Sequence, residues 1–168
     1  MKKKHLLFTL LCSGFIACTG PTPTQQLAKD IQNDNTLHIV DSMARATIRS
    51  GFNAGSGYSQ IWARDMNTFI EVACEESNPA ELRHAIVLFF ALQQPNDEMI
   101  DGYVLKEDFT WGDDHPYYSE TAPDHVAFKN TVETDQESSL IQIVGKYIRK
   151  TGDRSILDEE VAGRTVYQ

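Results

Sequence analysis

Trp62, Arg64 and Asp65 stand almost side by side in the stretch YSQIWARDMNTFIE, at the mouth of an apolar-periodic run, where they can be part of a ligand site or a helix start. Tryptophan presents a flat apolar face, arginine a planar fork of donors, and aspartate two acceptor oxygens. Farther along, Glu133 and Asp135 sit in VETDQE, and the segment between carries Trp111 and Tyr117, aromatic side chains able to wall a pocket. Each residue also has a plainer use. Asp65 in the first turn of a helix is stabilised by the helix dipole. Glu133 and Asp135 can charge a helix start, and Thr134 with Glu137 stands at capping-box spacing. What decides between these uses is whether the elements carrying the residues bring them together.

The apolar pattern is helical, with connections of unequal length. Leu37, Val40, Met43, Ala44 and Ile48 fall on one face of a first helix expected from about Leu27 to Ser50, stopped by Gly51. The glycine-rich GFNAGSGYSQ leads to a second helix, from about Ile61 to Glu75. Asn78, Pro79 and Glu81 form the start of a third, as N-cap, first helical residue and capping-box partner; Leu82, Ile86, Phe89 and Phe90 make its stripe. Gln94 to Thr134 shows no sustained period and reads as a long loop with a hairpin around DGYVLKEDFTW. A fourth helix follows TDQE, with Leu140, Ile141, Val144, Tyr147 and Ile148 on its apolar face. Gly152 suits a left-handed stop and Asp153 a new cap, so a fifth helix is expected from about Arg154 to the last residue, Gln168.

Short links join helices two and three and helices four and five, whereas long loops precede helices two and four. If successive helices run antiparallel, both long loops share one end, and WARD and VETDQE meet there.

The opening MKKKHLLFTLLCSGFIAC has a basic start, an apolar run and a small residue before Cys18, the pattern of a lipoprotein signal spanning residues 1–17. Cys18 is then the lipidation site, anchoring the chain to a membrane through acyl chains worth about 0.8 kcal/mol per buried methylene. Residues 18–26 read as a polar tether, and an exported bacterial lipoprotein facing the periplasm or cell surface is the expected location. With Cys12 in the signal and Cys18 modified, Cys74 is left as a small buried hydrophobe and no disulfide is expected. Net charge is −9, and removing Lys2, Lys3 and Lys4 takes it to −12, which speaks against nucleic acid as a partner. His115 and His125, with Asp113, Asp114 and Asp124, match no metal-ligand spacing, so neither metal nor cofactor is expected.

IWARDMNTFI and VETDQESSLIQIVGKYIRKTGD, taken together and in this order, resemble the six-hairpin glycosidases: the glucoamylase-like, debranching-enzyme-like and mannosidase-like (α/α) barrels. The resemblance covers roughly Asn53 to Asp153. It implies an all-α fold in which residues 27–168 form the first five helices of a partial (α/α) barrel of antiparallel hairpins. It also implies that Arg64 and Asp65 hydrogen-bond the sugar at the scissile end, with Trp62, Trp111, Glu133 and Asp135 around the same pocket. An α-linked oligosaccharide or polysaccharide is then the partner, hydrolysed by a glycoside hydrolase; an α-mannosidase of the same architecture is the near alternative.

Glycoside hydrolysis needs a general acid and a second carboxylate flanking the bond. The resemblance puts these on later loops, so no residue here is assigned to either role. The chain therefore reads as the N-terminal part of a larger enzyme, expected to be poorly soluble and inactive alone, with the remaining portion as a further partner. A non-catalytic glycan-binding lipoprotein keeps the same cleft without turnover. A polysaccharide lyase is disfavoured, because its uronate substrates call for a basic cleft. A small structural helical lipoprotein needs a capped last helix, which EEVAGRTVYQ lacks.

Overall fold

Four apolar positions of the second expected helix, Ala63, Met66, Ile70 and Ala73, recur at helical spacing and are all completely buried. They belong to α3 (Ala63–Glu76) in the computed structural model, which describes residues 20–55, 57–110, 116–130 and 132–168. The chain divides into two units, Met1–His38 and Ile39–Gln168.

The first unit holds α1 (Pro23–Gln32) and the beginning of α2 (Asn35–Arg49). Thr22 and Gln25 form a reciprocal capping box at the start of α1, so residues placed in the polar tether are helical from Pro23 onward. The single helix expected over Leu27–Ser50 is interrupted. Asn33 closes α1 through its side chain, which donates to Lys29 O at 2.6 Å, and Asp34 accepts from Thr36 N–H at 2.8 Å. Short polar side chains of this kind compete for backbone partners and end helices.

In the second unit, α3 packs on α5 (Gln136–Thr151), whose buried face is Gln136, Ser139, Leu140, Ile143, Val144 and Tyr147. The polar contacts between the two run in register: Arg64 with Asp135, Asn67 with Gln142 and Lys146, Glu71 with Arg149, Glu75 with Lys150. The helices are therefore parallel. Between them in sequence comes α4 (Pro79–Ala91), where the Asn78 side chain accepts from Ala80 N–H at 2.9 Å and Glu81 N–H at 3.4 Å, with no return bond from Glu81. Leu82, Ile86 and Phe89 of α4 are sealed into the same core. Each such side chain contributes about 1.5–3 kcal/mol by leaving water.

Two expectations give way here. The segment read as a long loop with a local hairpin instead supplies three strands, β2 (Gly102–Leu105), β3 (Pro116–Tyr117) and β4 (His125–Phe128), which join β1 (Ile61–Trp62) in an antiparallel sheet of order β1-β2-β4-β3. β2 pairs with β1 and β4 rather than folding back at once, because the residues after it turn into a single 3-10 turn, Lys106–Asp108. Tyr103 faces α4, its hydroxyl donating to Ala85 O at 2.9 Å and its ring edge-on to Phe89 at 4.9 Å. Val104, on the other face, joins Val126 and Phe128 in a smaller cluster. The fold is thus mostly helical, as expected, with a small antiparallel sheet added.

The fifth helix does not form. Gly152 ends α5 at φ 76° and Asp153 caps the next element, but this is only a 3-10 turn, Arg154–Asp158. A hairpin comes next, β5 (Glu160–Val161) and β6 (Arg164–Thr165), turned by Ala162 and Gly163 at φ 52° and 80°. Two consecutive positive φ values match the right-handed twist of a two-residue hairpin, which β-branched Val161, Thr165 and Val166 favour over a helix. Arg83 of α4 ties this end down, bonding Asp153 at 3.3 Å and Glu159 at 2.8 Å.

α2 is held to α3 by Arg45, which bonds both Glu75 and Glu76 at 2.8 Å. Lys150 and Arg45 hold the Glu75 carboxyl down to about 2. A folded-state value below the unfolded one means stability is fully present above the usual glutamate range, about pH 4.3, and lost as pH falls toward 2. Melting temperature should fall on acidification across that window, and Glu75→Gln should flatten the fall. An equally steep fall in Glu75→Gln would show that other groups govern it.

Candidate functional site

The N-terminal ends of α3 and α5 lie side by side because the two helices are parallel, and Arg64 spans them. Its Nε donates to Asp135 Oδ2 at 3.0 Å and its Nη2 to Oδ1 at 2.8 Å, a bidentate pair, while Nη1 lies 3.3 Å from Glu133 Oε1. The Asp135 side chain makes no capping bond, so α5 starts at Gln136 with neither Asp135 nor Thr134 as a side-chain cap. Glu137, expected to complete a capping box with Thr134, accepts from Met99 N–H at 3.3 Å instead. The Arg64 guanidinium holds the Asp135 carboxyl below the usual aspartate range, and the hydrogen bond to Asp135 raises Arg64.

Glu133 is placed by its own loop. The Asn130 side chain accepts from Val132 N–H at 2.9 Å and Glu133 N–H at 2.8 Å, and Gln136 Nε2 donates to Glu133 Oε2 at 3.2 Å. Trp62 leaves β1 just before α3 and stacks against Phe128 at 6.2 Å. The glycine loop brings up the opposite side: Asn53 Nδ2 donates to Gly55 O at 3.2 Å and to Tyr58 O, and Ala54 N–H donates to Gln60 O at 3.2 Å.

These elements enclose a cleft of about 340 Å³ lined by Ala54, Tyr58, Trp62, Arg64, Asp65, Asp101, Glu133 and Gln136. The structure so gathers Trp62, Arg64, Asp65 and Glu133, with Asp135 behind Arg64. Asp65 sits in the first turn of α3, and its side chain makes no hydrogen bond among the described residues. Trp111 lies outside the described residues, as does Cys18. Tyr117 is in β3 and packs against the main core, not in the cleft.

Asp101 and Tyr58 belong to the cleft although neither was singled out from sequence. Asp101 precedes Gly102, and Asp-Gly reads as a turn signal. Tyr58 stood in a glycine loop with no period to place it. Burial pushes the Asp101 carboxyl above the usual aspartate range, against the Asn130 N–H and the Lys129 charge. Only the neighbourhood of Asp101, Lys129 and Glu133 reveals it, and that arises from strand pairing.

The described residues contain no group of three or more His, Cys, Asp or Glu side chains placed to hold a metal. His125 stacks edge-on to Tyr103 at 5.6 Å, and burial and then His84 lower its pKa. Cys74 is partly buried against the core, its thiol pushed up by that burial. No described helix is long and apolar enough to cross a membrane. No protein-family model matches the chain, and neither a curated protein nor a solved structure matches it.

Gly102 pairs with Trp62 across β1 and β2, and a Cβ there would stand 2.7 Å from Ile61 O and 3.1 Å from the Trp62 ring. Because one neighbour is backbone, relaxation is costly. Gly102→Ala should destabilise the fold by about 1–3 kcal/mol in chemical denaturation. A loss below about 0.5 kcal/mol, within the usual range of surface substitutions, would show that β1 shifts freely.

Proposed function

We propose that the cleft binds one sugar unit of an α-linked oligosaccharide, and that residues 27–168 form part of an (α/α) six-hairpin glycoside hydrolase. The observation that carries this is the Arg64 bridge. Two motifs from distant parts of the chain meet on parallel helices beside a tryptophan, a tyrosine and unspent carboxylates. Parallel helices α3 and α5, with α4 between them in sequence, are the repeating relation of inner and outer helices in such a toroid. Within it, Trp62 offers its face to the pyranose ring and Asp65 accepts from its hydroxyls. Arg64 already gives two of its five donors to Asp135, so its main part is to position Glu133 and Asp135. The general acid and base are assigned to no residue of this chain. A non-catalytic glycan-binding lipoprotein would use the same contacts.

Titration calorimetry with maltose and with methyl α-mannoside tests the binding. A measurable affinity for maltose, weakened at least about tenfold by Asp65→Ala, is expected from the loss of an acceptor to bound hydroxyls. Tighter binding of the mannoside would move the reading to the mannosidase-like branch; binding of both sugars unchanged in Asp65→Ala would reject the cleft.

We also propose lipidation at Cys18 and export, on the basic and apolar composition of residues 1–17. Labelled palmitate should enter the expressed protein and sediment with membranes, and Cys18→Ala should abolish both. Labelling that survives Cys18→Ala would refute the anchor.

A further inference from the structure

Asp101 is fixed through its backbone on both sides. Its N–H donates to Phe128 O at 2.8 Å, and its carbonyl accepts from Ala63 N–H at 2.8 Å. The residue is only 2% exposed, yet it lines the cleft beside Trp62, Arg64, Asp65 and Glu133. Oδ2 accepts from Asn130 N–H at 2.6 Å. Oδ1 is buried and accepts no hydrogen bond among the described residues. The Lys129 ammonium forms an ion pair with Oδ1 at 3.7 Å, longer than a hydrogen bond, and bonds Gln136 Oε1 at 3.4 Å.

A buried oxygen without a donor is costly, and exceptions to full pairing in folded proteins call for a reason. Among the described residues, no other side chain lining the cleft donates to it. Arg64 is turned toward Asp135 and Glu133, and the Asp65 side chain makes no hydrogen bond among the described residues. Two carboxylates of the cleft, Asp65 and Asp101, therefore keep acceptor capacity that the hydroxyls of a ligand can fill.

We infer that Oδ1 of Asp101 is a ligand-binding and specificity-determining acceptor, taking a hydrogen bond from one hydroxyl of the sugar unit held by Trp62 and Asp65. This rests on the sugar-binding reading of the cleft. A site that leaves an acceptor buried for one hydroxyl rejects the analogue lacking that hydroxyl, because the acceptor then stays unpaired. Specificity among hydroxyls comes from Asp101, while the Trp62 face serves any pyranose.

Asp101→Asn separates the two oxygens. Its amide oxygen keeps the bond from Asn130 N–H, and its NH₂ takes the place of Oδ1, turning an acceptor into a donor. The probes are methyl α-glucoside and its monodeoxy analogues, measured by calorimetry on wild type and variant. One deoxy analogue should bind wild type at least about tenfold more weakly than the parent, the scale of a hydrogen bond to a charged group. Asp101→Asn should bind the parent at least about tenfold more weakly and show no further penalty for that same analogue.

Loss of the parent's affinity with the deoxy penalty unchanged would overturn the inference, since only a general distortion explains it. So would a wild type that binds all the deoxy analogues as tightly as the parent, a result independent of whether the variant folds. If Asp65→Ala loses the sugar and Asp101→Asn does not, this inference falls and the sugar-binding reading stands. A wild type that binds no glucoside overturns both.

Discussion

Met66, Ile70 and Ala73 of α3 share one sealed core with Leu140, Ile143, Val144 and Tyr147 of α5, and that packing constrains the rest of the structure. Two helices pressed together along a continuous apolar stripe have little freedom to slide, since each buried side chain would lose several contacts at once. Their parallel direction then brings Arg64 to Asp135 without any adjustment from the loops. The polar pairs along the flank, from Asn67 and Lys146 down to Glu75 and Lys150, select the register but are too exposed to hold it alone.

The small sheet completes what the helices begin. β1 is only two residues long, yet it aims Trp62 and starts α3, with Ala63 N–H bonded to Asp101 O. β2 brings Asp101 to that same point from a distant part of the chain. Gly102 allows the close approach, since no other residue leaves room for the Trp62 ring and the Ile61 carbonyl together. The cleft is thus the place where a helix pair and a sheet edge meet, with acceptors supplied by both. Its electrostatics follow: Arg64 is neutralised by Asp135 and Glu133, and the open carboxylates favour a ligand rich in hydroxyl donors.

Much of this was legible in the chain, for local reasons. α4 begins where Asn78 and Pro79 require, and α5 ends where Gly152 turns left-handed, because caps and stops are decided by neighbouring residues. The meeting of Arg64 with VETDQE followed from the lengths of the loops. What escaped was nonlocal or disguised. Gly102 to Leu105 is buried on both faces at its start and so lacks the alternation that marks a half-exposed strand, and its partners lie far off in sequence. The break at Asn33 and Asp34 lay inside a span read as one helix, just before the apolar stripe that begins at Leu37. Ala162-Gly163 lacks the asparagine or aspartate common in such turns, so the last hairpin read as helix. Asp101 drew no assignment, because its role arises only when β2 meets β1 and β4.

The central claim is that the cleft between β1, the start of α3 and the loop before α5 is where a sugar binds. Two-dimensional amide and indole NMR of the chain titrated with maltose tests it most directly. The account predicts saturable shifts centred on Trp62, Arg64, Asp65, Asp101 and Glu133, including the Trp62 indole N–H. Shifts centred instead on the apolar groove lined by Leu140, Val144 and Val166, or none at all at saturating sugar, would contradict it.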